Sequence, residues 1–258
     1  MTRLTMGALA LLFLELAQPS GDVGAAEIKV LSTGNMVNIL TDLTSQFERA
    51  TGHKLVIEYG SVVLMRNRIR SGEVADLTIN ERPELEELRK QGRIATDTIV
   101  DIARSPFGVA VRAGAPKPHI STVDGFKRAF LAADSIAVPN PANGAQDGVY
   151  FTGLIERLGI ADQLKPKIKL TQGGDNAAQL VASGGAQIGI AQRRNFFTLS
   201  AVQMLEPLPD IPGIKFLMAG GVVANAREPG AAKELARFLS SAAVAPVIIA
   251  KGMEPYAQ

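Results

Sequence analysis

Apolar and polar positions along this chain switch repeatedly between two rhythms, one of period two and one close to 3.6. Ile28-Lys29-Val30-Leu31 reads as a strand, after which apolar residues recur at Met36, Leu40, Leu43, Phe47 and Ala50 on one helical face. Gly52 ends that helix. A second strand at Leu55-Val56-Ile57 runs into Tyr59-Gly60-Ser61, and a helix carrying Leu64, Met65 and Ile69 stops at Gly72. A third strand over 75–79 leads to a helix opened by Pro83, where proline's missing N–H is one that a helix start leaves unbonded anyway. Strand alternating with helix in this way predicts a mainly parallel sheet flanked by helices.

The pattern restarts after a strand over 106–112 and the turn Ala115-Pro116-Lys117-Pro118. A helix over 122–132, a strand over 135–138, a loop over 139–147 and a helix to Leu158 follow. A strand near Ile168, a helix over 176–183 and a strand over 187–191 complete a second α/β unit. Beyond Pro207-Leu208-Pro209, a strand over 214–218 and helices between Gly230 and Lys251 have no sheet of their own.

The first 26 residues stand apart. A basic tip at Arg3 precedes an apolar stretch over 7–14, and the segment ends in Gly24-Ala25-Ala26. That stretch is too short for a membrane span, which needs about 20 apolar residues, so it reads as a secretory signal peptide cut after Ala26. No later stretch is apolar enough to span, and the expected product is a soluble periplasmic protein. With 47% hydrophobic and 20% charged residues, the remaining chain can bury a substantial core. Cysteine is absent, which excludes disulfides, thiol catalysis and zinc–thiolate sites. The formal charge is +2 with no basic run longer than a pair such as Arg193-Arg194, so no nucleic-acid partner is expected.

In open α/β sheets, ligands sit beyond the carboxyl ends of strands, where helix N-termini present free N–H groups. Four turns here have that character. In the first unit they are Ser32-Thr33-Gly34-Asn35 and Tyr59-Gly60-Ser61, the latter running on to Val62. In the second they are the 140–147 segment, with Asn143, Gly144 and Gln146, and Gln172-Gly173-Gly174-Asp175-Asn176. Each alone is an ordinary helix cap worth about 1 kcal/mol. Four in equivalent positions, two per unit, point to a shared cleft for a small anion. Arg193-Arg194 follow a strand, where a guanidinium can fork onto a carboxylate or the pair can simply face solvent, with Arg193 taken as the candidate; Arg66, one turn past Ser61, either faces water with Arg68 and Arg70 or leans toward the same region.

Catalytic signatures are missing. His53 and His119 have no paired spacing and read as surface residues, so no metal is expected. There is no G-x-S-x-G elbow, no G-x-G-x-x-G after a strand and no G-x-x-x-x-G-K-[ST], and no cofactor is expected. Glu84, Glu86 and Glu87 read as a solvated helix face.

Five segments, spread over most of the chain, carry a resemblance. They are Phe47-Glu48-Arg49-Ala50-Thr51-Gly52, Tyr59-Gly60-Ser61, Ser71-Gly72-Glu73-Val74-Ala75-Asp76-Leu77, Arg157-Leu158-Gly159 and Gly184-Gly185-Ala186-Gln187-Ile188-Gly189-Ile190. Together they resemble the molybdate-binding-protein-like branch of type 2 periplasmic binding proteins. The resemblance implies a two-lobed α/β fold, each lobe a mainly parallel sheet flanked by helices, with the ligand cleft between them. It places one lobe at 27–105 completed by 212–258, and the other at 106–211. It implies a monomer that hands its ligand to an ABC-type permease in the inner membrane. The family holds its oxyanion with hydroxyls, and this chain departs from it: Asn35 stands where the first turn should supply serine, Val62 where a second serine is expected, and Gln192 in place of a tyrosine. Those replacements favour an organic acid over molybdate. The branch also includes an aconitate isomerase, so isomerisation of a tricarboxylate is the alternative. For that chemistry the sequence offers groups to hold carboxylates but no evident base.

Overall fold

The computed structural model describes residues 24–256 apart from 198, 210 and 212–214; most of the expected signal peptide, and Ile214 of the expected 214–218 strand, lie outside the described residues. β1 (Glu27–Thr33), α1 (Val37–Thr51), β2 (Lys54–Gly60), α2 (Val62–Arg70), β3 (Leu77–Glu81) and α3 (Arg82–Lys90) follow the apolar rhythm. β1 lies between β2 and β3 and is parallel to both. β4 (Val100–Arg112) then leads to α4 (Val123–Ala132), β5 (Ile136–Pro139), α5 (Gln146–Arg157) and α6 (Ala161–Leu164). β6 (Ile168–Thr171), α7 (Gly174–Ala182), β7 (Ile188–Gln192), α8 (Arg193–Phe197) and β8 (Val202–Met204) follow. The chain returns through β9 (Lys215–Val222), α9 (Pro229–Leu239), α10 (Ala245–Ala250) and β10 (Glu254–Pro255).

The strands run in the order β2-β1-β3-β9-β4-β7-β5-β6, with β8 and β10 added to β4. β4 serves two sheets: it pairs with β9 as far as Pro106 and with β7 from Phe107. β9 is antiparallel to both β3 and β4, so each lobe's parallel set is three strands bordered by antiparallel ones. Both faces of each sheet are covered. In the first lobe α1, α9 and α10 bury Leu40, Phe47, Leu235 and Ile248 against Ile28, Ile79 and Met218, while α2 and α3 bury Met65, Ile69, Leu85 and Leu88 on the other face. In the second, α4 and α5 pack Phe126, Phe130 and Phe151 on one side, and α7 and α8 pack Ala178, Val181 and Phe196 on the other.

Three local readings change. β3 starts at Leu77 rather than 75, because Asp76 turns its carboxylate onto backbone. It accepts from the N–H groups of Lys29 (2.8 Å), Arg227 (2.8 Å) and Glu228 (2.9 Å), fastening the returning segment to the first lobe. β4 is six residues longer than its apolar run suggests, since Val100–Ser105 is held by pairing with β9. His53 is buried, only 2% exposed. The left-handed turn at Gly52 (φ 77°) folds its ring inward, where Nδ1 accepts from the Ala26 N–H (3.0 Å) and Nε2 lies 3.3 Å from Glu234. His119 is exposed. Among the described residues, no helix is long and apolar enough to cross a membrane and no cluster of three metal-ligating side chains occurs.

Candidate functional site

Because β1 and β2 are parallel and Thr33 is level with Gly60, the two turns that leave them open at the same height. The turns after β5, β6 and β7 face them from the other lobe. Between them lies a cavity of about 430 Å³, within the range of small-ligand sites. Thr33, Gly34, Asn35, Ser61 and Val62 line it from one side, and Gly144, Gln146, Gly174 and Gln192 from the other. Ser61 caps α2 by accepting from the Leu64 N–H (3.1 Å), which leaves its hydroxyl proton free to donate. The Thr33 hydroxyl is buried without a hydrogen-bond partner.

Four of the residues singled out from sequence do not line this cavity. Arg66 is held by Glu84 at 3.2 Å, with Arg and Glu on adjacent helices. Asn143 is exposed in a short 3-10 turn, and Gly173 sits one residue before the lining. Arg193 points away, toward Glu206 (3.1 Å) and the Phe197 ring.

Its neighbour Arg194 takes the cleft instead. One guanidinium nitrogen donates to Asn35 Oδ1 across the cleft (3.0 Å), and Nε donates to Gln192 Oε1 (3.3 Å). Gln192, which is buried, also accepts from the Ser105 hydroxyl (2.9 Å), so Ser105, Gln192 and Asn35 orient the cation from three elements. Burial pulls the Arg194 guanidinium down from its ordinary value, against the opposing charges of Asp175 and Asp147; arginine remains a cation in such surroundings.

Asp147 is the second group that sequence left unassigned. It stands in the first turn of α5, lines the cavity and is 6% exposed. The helix start presses so closely on β5 that a Cβ on Gly148 would lie 1.9 Å from the Pro139 carbonyl oxygen, so only glycine allows α5 to bring Asp147 this far in. Burial raises the Asp147 pKa above its ordinary value, although backbone N–H groups of Gly148 and Gln192 and the charge of Arg194 work against that rise. Glu81, at the end of β3, is buried too, and one of its oxygens has no hydrogen-bond partner. Burial, with the charges of Glu84 and Asp147, lifts its pKa to about 7. At the rim of α7, Asn195 donates to Asp175 (2.7 Å), and its carbonyl oxygen is buried without a partner. Gly174 makes room for it, since a Cβ there would fall 2.4 Å from that oxygen. The cleft thus combines one cation, several donors and a buried carboxyl group, Asp147, that holds a proton more readily than usual, with Glu81 behind the lining.

A model of the bacterial extracellular solute-binding protein family matches residues 28–254. An aconitate isomerase from a Pseudomonas species is 30% identical over 260 positions, which cover 98% of this chain and 95% of that protein. The molybdate-binding protein ModA of Azotobacter vinelandii is 28% identical over 64% of each chain. A substrate binding domain from Clostridium difficile superposes with a TM-score of 0.77 at 17% identity, covering 90% of this chain and all of that one. With the two-lobed architecture and a cleft at the strand ends, this chain belongs to the family of bacterial extracellular solute-binding proteins.

Proposed function

We propose that the cleft captures a small organic acid in preference to a bare tetraoxyanion. The observation that carries this is the buried Asp147 carboxyl in the same cavity as Arg194. A carboxylate on the ligand meets the guanidinium, the Ser61 and Thr33 hydroxyls and the helix N-termini of α2, α5 and α7. The rest of the ligand meets Asp147, the Asn195 carbonyl and Val62. A carbon skeleton bearing a hydroxyl or a second acid group suits that half, whereas a small ion with acceptor oxygens on every side sets one of them against Asp147. In this reading the protein is exported after cleavage at Ala26 and acts as a monomer, with lobes 27–105 plus 212–258 and 106–211 closing on the ligand. It then delivers the ligand to an ABC-type importer. Calorimetry with molybdate, tungstate, sulfate, citrate and the two aconitates tests the preference. Tighter binding of molybdate than of any organic acid would overturn it.

A second reading, isomerisation of a bound tricarboxylate, is favoured by one observation: the likeness to an aconitate isomerase extends over nearly the whole of both chains. Proton NMR of cis- and trans-aconitate left with the protein separates the two readings, because a carrier returns each acid unchanged.

A further inference from the structure

We infer that Asp147 is a proton-transfer group toward carbon, and that the cleft moves a proton along unsaturated di- or tricarboxylates with a methylene group beside the double bond. The inference deepens the second reading above, isomerisation of a bound acid, and rests on the preference for an organic acid.

Four observations place the role on this residue. Asp147 lines the cavity while its side chain is almost wholly shielded from water. Its carboxyl is held by backbone N–H groups of Gly148 and Gln192, so its position is fixed without an ion pair of its own. Arg194, the cation sharing the cavity, is tied to Asn35 and Gln192 and leaves Asp147 without a direct guanidinium contact. Glu81 at the end of β3, itself inclined to hold a proton, and Asp175 and Arg194 in the cavity complete the titratable and charged groups around it. A carboxylate so placed is a stronger base than one in water, and a carboxylic acid so placed keeps its proton long enough to return it.

The chemistry balances without a co-reactant. The Asp147 carboxylate takes a proton from the methylene carbon, and the C–H electron pair becomes the new double bond. The former double-bond pair moves to the far carbon of the allyl unit, which takes the proton back from Asp147. Negative charge that develops meanwhile spreads onto the ligand carboxylate facing Arg194. Substrate and product differ only in which carbon carries the hydrogen.

The test uses the full-length exported protein, cis- and trans-aconitate as probes, and heavy water as solvent. Wild type is expected to interconvert the two acids, with deuterium entering the methylene group to the extent that Asp147 trades its proton with solvent before returning it. Asp147→Asn keeps the shape and the accepting oxygen, so it should bind both acids within a few-fold of wild type by calorimetry, while interconversion falls about a hundredfold or more. Interconversion retained in Asp147→Asn overturns the inference. Binding by wild type with neither interconversion nor exchange also overturns it and leaves the organic-acid reading standing. Failure of wild type to bind any organic acid overturns that reading, and the inference with it, and calorimetry alone shows which has happened.

Discussion

Glu73 and Glu81 belong to the same lobe, yet they sit on opposite sides of the ordinary carboxylate pKa of 4.5. Glu73 lies in a surface cluster with Lys29, Glu58 and Arg68, where Arg68 donates to both glutamates and Lys29 bridges them at 3.0 and 3.3 Å. The Arg68 hydrogen bonds hold Glu73 down to about 2. Glu81 has no such partner, and burial pushes it up to about 7. The surface cluster satisfies every charge locally and is complete without a ligand. At the cleft, Asp147, Thr33 and Asn195, with Glu81 just behind them, keep polar atoms buried and only partly satisfied, a cost the fold tolerates where something else is to be bound.

The contrast is broken most strongly by removing the cleft's cation. Arg194→Ala should weaken binding of the preferred carboxylate by tenfold to about a hundredfold, from a charge-assisted bond of roughly 1.5 to 3 kcal/mol. Arg193→Ala, facing Glu206, should leave affinity nearly unchanged, and titration calorimetry on the pair decides between the two arginines. Next comes Glu81→Gln. Because the folded-state pKa is raised, wild type is not penalised below about pH 4.5 and loses stability as pH rises from there to about 7. The amide abolishes that slope. At pH 8 the variant should be more stable than wild type by about 3 kcal/mol in the absence of ligand, read from urea unfolding at pH 5 and pH 8. The smallest effect is on the paired side. Arg68→Ala should cost about 1 kcal/mol or less, shrinking further in high salt, since the cluster is partly exposed. The sign of its pH dependence is opposite: the stabilisation from Glu73 is present above pH 4.5 and disappears as pH falls toward 2. The stability difference between wild type and variant should therefore slope in contrary directions with pH for the two positions.

Much of the architecture was legible because it rests on local pattern. The stripe Leu40, Leu43, Phe47 ending at Gly52 dictates α1 whatever lies around it, and the caps at Ser61 and Thr122 mark helix starts by their own hydrogen bonds. What the pattern could not carry was anything decided by distant partners. Asp76 reads as part of a strand until residues 227 and 228 come to meet its carboxylate. His53 reads as a surface residue until Ala26 and Glu234 close over it. In the site, the turns were visible and the charges were not. Choosing between Arg193 and Arg194 requires the phase in which α8 leaves β7, and a residue's burial is a property of the whole assembly. Asp147 looked like one more polar residue at a helix start; the only local sign of its position is Gly148, the residue that allows the close approach.

The placement of β9 between β3 and β4 also bears on how the molecule is made. The first lobe begins with β1, but its sheet has a gap until residues 215–222 arrive to fill it. A chain emerging from its N-terminus can bring β1, β2 and β3 together early, whereas β5, β6 and β7 find all their neighbours between Phe107 and Gln192. The second lobe is thus the one able to mature first, and the first must wait for contacts spanning most of the sequence, which are slow to close. Ending the chain before residue 215 would leave the later-numbered lobe with its strands paired and the earlier-numbered one open along an edge, inviting association with other chains.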